Sequence, residues 1–416
     1  MARYKTRHAT ECQLLPENPS KTGGNATSAI ALLAVAGFAA QAMVRVTDSL
    51  LPQIAADLNV SVGATSIVVT VYLLAHGSVQ LVMGPIADRV GKYFCMAMAA
   101  AAAAVLVALC GLAPTLPLLV AARFGSGLAT GWIIPLALAF VGDVIPYERR
   151  QQVLGRFLSG QILGQLFGQA AGGVLGDYFG WRNVFFILAG LLAVATCGLF
   201  YELLRNPITR ASAAPPQQKR GFIADYGIVL RSPWARAVIV MAFIEFGLMF
   251  GAFTYVGADL HLRFGLNFTL VGLCVGAFAI GGLIYSVTVP MLVGRFGQSG
   301  LAAFGGTLLA AAFVTLAFEP TAYIAPFAIT AIGLGFYMLH NTMQTNATQM
   351  APEARGTAVS IFSASLYLGQ TASVAAAGVA FDRYTAVPVF LIAAVGLLVL
   401  GFWFSRQLKA REAQSV

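Results

Sequence analysis

An all-α membrane protein is the fold class this sequence predicts: twelve transmembrane helices in two six-helix bundles related by a pseudo-twofold repeat. Composition, the lengths of the apolar runs and an internal echo carry the prediction. Of 416 residues, 58% are hydrophobic and only 10% charged, and mean hydropathy is +0.79; a soluble domain is about a quarter charged. Crossing the hydrocarbon core takes about 20 apolar residues. Runs of adequate length fall near residues 28–51, 62–84, 93–113, 117–142, 153–176, 183–203, 235–258, 267–292, 299–318, 321–348, 356–380 and 386–406. Open sheets cannot satisfy their backbone in lipid, so the runs are helices. A large soluble helical domain would not carry so many unbroken apolar stretches.

Residues 1–27 are polar, mix Glu11 and Glu17 with Lys and Arg, and read as a disordered cytoplasmic tail. A signal peptide would have a shorter basic head and a shorter apolar run, so the first helix is expected to be retained. Residues 28–205 form the N-terminal bundle, and 206–234 form one long hydrophilic interruption holding Pro207, Pro215, Pro216 and Pro233 among basic residues. Such composition marks a cytoplasmic linker, in which 222–230 is expected as a short surface helix. Residues 235–408 make the second bundle and 409–416 a second tail. The halves match at an offset of 206: Arg89 and Gly91 with Arg295 and Gly297, Pro146 and Arg149 with Pro352 and Arg355, Gly127 with Gly333. Each match alone is weak, but all share one offset and equivalent topological places. A parallel repeat of this kind puts binding at the interface between the repeats.

The formal charge of +9 raises the question of nucleic acid, and its distribution answers it. With the N-terminus cytoplasmic, 20 of the 25 Lys and Arg lie on that side, against three (Arg182, Arg263, Arg383) outside. Arg45 and Arg123 fall within spans. This is the positive-inside bias, which sets both termini in the cytoplasm, and no nucleic-acid motif accompanies it. The five cysteines (Cys12, Cys95, Cys110, Cys197, Cys274) show no paired spacing, so neither a disulfide framework nor a zinc site is implied. His8, His76, His261 and His340 are scattered, and no Walker sequence is present, which argues against an enzyme and against ATP as the energy source.

Between the second and third runs lies GPIADRVGK, Gly84 to Lys92. Charges cost roughly 2.5–3.5 kcal/mol each at the bilayer centre, so this cluster is a hydrated turn at a membrane face, and its acid and bases can exchange ion pairs with neighbouring helix ends. It resembles the loop 2–3 signature of the major facilitator superfamily, with Gly84, Asp88, Arg89, Gly91 and Lys92 in register; the resemblance covers essentially the whole chain. In that family the loop latches the cytoplasmic side, its Asp meeting the start of the eleventh helix. Arg149 and Arg355 complete the expected latch. The second-half copy lacks the Asp and first Gly, so the latch is expected to be one-sided; the plain alternative is a turn with a positive-inside cluster.

Four intramembrane positions carry chemistry. Asp48, in DSLLP, resembles the first-helix Asp-x-x-x-Pro element of the family's drug:proton antiporters. Arg123, in the fourth run, resembles its fourth-helix Arg motif and sits at a similar depth to Asp48. Arg45, one turn before Asp48, offers it a competing partner. Glu245 is the best-centred carboxylate; burial raises a carboxyl pKa and a nearby cation lowers it, so changing water access would load and release a proton. The alternative is a static, hydrogen-bonded acid. His340 and Asn341 open a polar run that either binds substrate or faces the cytoplasmic mouth.

In the fifth run, Gly155, Gly164, Gly168, Gln169, Gly172 and Gly173 resemble the antiporter motif, with Gln169 in place of its usual Pro. Glycines at 160, 164, 168, 172 and 176 lay a smooth groove along one face, which another helix can approach closely; ordinary small-residue packing is the competing reading. Gln161, Gln165 and Gln169 form a parallel polar stripe. The resemblance implies a proton-coupled efflux antiporter for small organic molecules, drug-like or metabolite, working by rocker-switch alternating access. A sugar-type or metabolite uniporter on the same fold is second, and a polytopic enzyme or receptor a distant third. It further implies no metal and no cofactor, the proton as coupling ion, lipid and a small-molecule substrate as partners, a monomer, and a bacterial inner membrane.

Overall fold

The computed structural model describes residues 19–145, 147–210 and 222–415. Twelve helical legs account for nearly all of them: α1 Pro19–Leu58, α2 Val62–Gln80, α3 Lys92–Leu112, α4 Leu116–Val144, α5 Tyr147–Phe179 and α6 Trp181–Arg205 in the first half. In the second half they are α7 Pro233–Phe264, α8 268–296, α9 298–318, α10 Ala325–Ala347, α11 Arg355–Tyr384 and α12 Val387–Ser415. Nine stretches among the described residues are long and apolar enough to cross a membrane. One of these, Phe268–Phe318, contains both α8 and α9, because Gly297 breaks it with φ +61°. The remaining two legs, α5 and α10, have membrane length but carry glutamines and other polar residues along their faces. The twelve legs match the twelve apolar runs of the sequence.

Local chemistry sets the ends. Ser232 caps α7 by accepting from the Ala235 amide at 3.3 Å, with Pro233 in the first turn; a missing N–H costs nothing there. Gly265 closes α7 in the left-handed conformation, as glycine can without a Cβ penalty. Gly91, at φ +106°, separates the short helix Met83–Val90 from α3. Its counterpart at the repeat offset is Gly297, the break between α8 and α9.

Helix approach repeats as well. A Cβ on Gly127 of α4 would lie 2.3 Å from the carbonyl oxygen of Tyr72 on α2. A Cβ on Gly333 of α10 would lie 1.9 Å from that of Phe278 on α8. Both members of the pair are displaced by 206. Likewise α1 packs on α5 and α3 on α6 in one half, and α7 on α11 and α9 on α12 in the other. Each half thereby encloses an apolar core, and Val374 of α11 joins that of the first half.

The first helix starts at Pro19, inside the stretch read as a tail, and α12 runs to Ser415. The linker contains a helix at Phe222–Arg231. Its Val229 is buried in the second-half core, and its Tyr226 hydroxyl donates to the Leu81 carbonyl at 2.8 Å, reaching the end of α2.

Call the end of the molecule bearing this linker the linker face, and the opposite end the far face. At the far face the two bundles are bonded directly. Asp382, near the end of α11, accepts from Ser61 Oγ at 2.5 Å and from the Gly63 amide at 2.9 Å, at the start of α2. Asp177, near the end of α5, accepts from the Thr269 amide at 3.2 Å and its hydroxyl at 2.6 Å, at the start of α8.

Candidate functional site

The site forms where α1 and α7 meet. Arg45 and Asp48 share one face of α1 at i,i+3 spacing, and both are buried. Arg45 Nη1 lies 3.8 Å from Asp48 Oδ2, and its guanidinium carbon stands 3.5 Å from the centroid of the Phe250 ring on α7. Thr254 of α7 donates to Asp48 Oδ1 at 3.5 Å. Asp48 and Thr254 are also related by the 206-residue offset, so the pseudo-twofold axis passes between them. Among the described residues Asp48 Oδ2, Arg45 Nε and Arg45 Nη1 make no hydrogen bond. Buried polar atoms of this kind carry a desolvation cost.

Arg123 is fully buried and is held differently. Its Nε donates to the Val68 carbonyl at 3.1 Å, Nη1 to the Met43 carbonyl at 3.4 Å and Nη2 to Thr47 Oγ1 at 3.3 Å. The guanidinium lies 4.0 Å from the centroid of Tyr72. These contacts tie α4 to α1 and α2 inside one bundle. Of the two cations at the depth of Asp48, Arg45 is the one that comes within ion-pair distance.

Glu245 is fully buried, and its Oε2 lies 2.9 Å from His340 Nδ1 on α10. The imidazole stacks on Phe336, with centroids 4.8 Å apart, and Phe246 and Phe362 flank it. Glu245 Oε1 makes no hydrogen bond among the described residues. Aromatic contacts join the two polar pairs: Phe250, under Arg45, packs 4.6 Å from Phe246, which lies 5.4 Å from His340. Asn341 follows on α10 and is half-buried. A second crossing of the interface runs from α2 to α11, where His76 meets Tyr367 edge-on at 4.6 Å. That histidine shares Thr130 Oγ1 with the Tyr72 hydroxyl.

The glycine row of α5 packs inside its own bundle. Added Cβ atoms on Gly164, Gly168 and Gly172 would lie 2.3, 2.5 and 2.8 Å from the carbonyl oxygens of Phe38, Ala42 and Val46 on α1. Gly173, one residue around, points across the interface, and its Cβ would sit 2.7 Å from the Cα of Gly272 on α8. Gln169 is buried, with its carbonyl accepting from Ser49 at 2.7 Å and neither side-chain polar atom bonded among the described residues. Gln165 is half-buried. Gly155 lies in α5, but its surroundings and the Arg149 side chain are outside the described residues.

The Gly84–Lys92 segment, expected as a turn, is instead mostly the short helix Met83–Val90, ended by Gly91 at φ +106°; beyond it Lys92 bonds Asp143 at the end of α4 and lies 3.8 Å from Asp88. Arg89 and, at the start of α11, Arg355 are exposed. Among the described residues, nothing lies within 4 Å of a Cβ added to Gly84 or Gly356.

Several participants escaped the sequence reading: Thr254, Asp143, Asp177 and Asp382. The first was reachable, since adding 206 to Asp48 gives it. The two far-face acids sit near helix ends and resemble ordinary surface carboxylates in sequence.

One ionisable cluster stands apart, at the far ends of α7 and α9. Arg263 bonds Asp259 at 2.7 Å, Glu319 at 3.2 Å and the Leu316 carbonyl at 2.7 Å. Burial pushes the Glu319 carboxyl up to about 7, opposed by Arg263 and helped by Asp259. The folded state therefore holds this proton more tightly than the unfolded chain, whose carboxyl titrates near 4.5. That contribution to stability is complete below about pH 4.5 and is lost as pH rises through about 7. Thermal unfolding of the solubilised protein should fall across this window in the wild type. In Glu319→Gln that part of the fall should vanish.

Comparison with known proteins places this geometry. The family model for the Major Facilitator Superfamily matches residues 33–370 and 263–415. An uncharacterized MFS-type transporter, YceJ of Bacillus subtilis (strain 168), is 24% identical over 334 residues, 79% of this chain and 83% of that protein. The multidrug resistance protein MdtL of Escherichia fergusonii is 29% identical over 289 residues, 69% of this chain and 72% of its own length. Among solved structures, the POT family transporter PepTSo superposes with a TM-score of 0.73 at 14% identity, covering 96% of this chain and 99% of that one. The nucleoside transporter NupG gives 0.72 at 14% identity, covering 92% and 99%. A match over nearly the whole length, with two bundles of six helices joined by one linker, makes this multi-pass membrane transporter a member of the major facilitator superfamily.

Proposed function

We propose that the protein is a proton-coupled efflux transporter for small organic molecules, working by alternating access between its two bundles. The observation that carries the reading is a pair of buried acids, Asp48 where the two bundles meet and Glu245 inside the second bundle, each held beside a basic partner and each with one carboxylate oxygen unbonded among the described residues. Asp48 belongs to one bundle and meets Thr254 of the other; Glu245 lies with His340 along the aromatic path from Arg45. A proton entering either pair changes the charge of a buried site, and rocking the bundles changes which side supplies the water. The name of MdtL as a multidrug resistance protein supports export of drug-like compounds.

The basic residues on the linker side orient that face toward the cytoplasm. With this orientation, the far-face bonds close the outward path. One charge moved through 100 mV contributes about 2.3 kcal/mol, roughly a fiftyfold gradient, so one titrating acid suffices for a useful pump. We take the working unit as a monomer in the bacterial inner membrane, with the proton as its only coupling partner. The test is transport of ethidium into everted vesicles under an imposed pH gradient, comparing wild type with Asp48→Asn. Loss of gradient-driven uptake supports the reading. Uptake by the wild type that ignores the gradient favours a uniporter.

A further inference from the structure

The two far-face acids form one device. Ser61 and Asn267 are the N-caps of α2 and α8, and each side chain accepts from the amide three residues on, Ala64 at 3.0 Å and Leu270 at 2.8 Å. The caps are displaced by 206, as are the two amides and as are Gly63 and Thr269, whose N–H groups bond the carboxylates. The acids, Asp382 and Asp177, depart from that offset by a single residue. Each thus comes from the end of one bundle's helix and seats on the helix N-terminus of the other bundle. Such a terminus carries partial positive charge and free amides, and a carboxylate there makes charge-assisted hydrogen bonds. Both junctions are drawn tight by glycine. A Cβ on Gly63 would lie 2.3 Å from the Gly378 carbonyl oxygen, and one on Gly173 would lie 2.4 Å from the Phe268 carbonyl oxygen.

From this we infer that Asp177 and Asp382 are twin clamps that hold the far face shut, one on each side of the pseudo-twofold axis. The inference rests on the alternating-access reading above and adds the gate residues to it. Because the two contacts lie on opposite sides of one axis, the bundles cannot part at this face while either remains, so their contributions to the closed population multiply. The Lys92–Asp143 bond of the linker-face loop, by contrast, stays within one bundle.

The test is the distance between spin labels at Thr115 and Tyr323, both exposed at the far face, one on each bundle. It is read by double electron–electron resonance in nanodiscs with no substrate and no gradient. Wild type should give a single short distance. Asp177→Ala or Asp382→Ala should each raise the ratio of far-open to far-closed molecules about tenfold, and the double variant about a hundredfold. The Asp→Asn forms, which keep an acceptor oxygen, should fall between, and they serve if an Ala variant does not fold. An unchanged distribution in the double variant overturns the clamps. So does a shift in one single variant that the second does not increase. Ethidium transport by the unlabelled wild type is measured alongside: if it is absent, the proposed function fails while the distance result still judges the clamps.

Discussion

Glu245→Gln is expected to abolish gradient-driven efflux while leaving a folded, monodisperse protein. The substitution keeps the size and a hydrogen-bonding amide beside His340, which lies 2.9 Å from the native carboxylate. On the proposed mechanism it removes the exchangeable proton from a fully buried position. With no proton to take up or release at this position, the pH gradient has no differential interaction with the two states there, and without one it shifts no equilibrium. The expected loss is therefore of coupling, at least a hundredfold in uptake against a gradient, with downhill exchange of the same compound retained. Measuring both fluxes in proteoliposomes separates this outcome from a damaged binding site, which would lower the two together. Asp48→Asn should lose gradient-driven uptake in the same assay.

The largest structural effect is expected from Gly333→Val. Its Cβ would lie 1.9 Å from the Phe278 carbonyl oxygen and 2.9 Å from the carbonyl carbon, so the obstacle is backbone in a packed helix rather than a side chain that can turn away. Overpacking a core commonly costs 1–3 kcal/mol. Parting α8 from α10 along this contact should cost more, about 4 kcal/mol or above, enough to leave little monodisperse protein in size-exclusion chromatography. Gly294→Ala is the control. Among the described residues nothing lies within 4 Å of a Cβ there, and in a helix alanine is favoured over glycine by about 1 kcal/mol, so expression and unfolding temperature should be kept or raised.

These two positions also show what was legible before the structure. Gly333 was visible through its partner Gly127 at the 206 offset, but the reason for glycine there, a carbonyl pressed against its Cα, requires the packed helices. Glu245 stood out because charge within an apolar run is costly, yet His340 lies 95 residues away, and no local pattern joins them. The competition of Arg45 and Arg123 for Asp48 could be posed from spacing and depth. It took side-chain directions to show Arg45 near the acid and Arg123 bonded to backbone carbonyls. The glycine row of α5 was legible as a smooth face, while its partner α1 was not, since a stripe does not say which neighbour covers it. The far-face acids illustrate the remaining limit. A carboxylate at a helix end is common, and only the opposing bundle's amides give it meaning.

Proton coupling is the centre of this account, and proton movement driven by substrate tests it most directly. Everted vesicles energised to an acidic interior, with acridine orange reporting the gradient, receive ethidium and a panel of neutral and cationic drugs in turn. Transported compounds should dissipate the gradient in wild-type vesicles and leave it intact in Glu245→Gln vesicles. Accumulation of the same compounds by the wild type with no proton efflux, or equal proton efflux from the variant, would contradict the account.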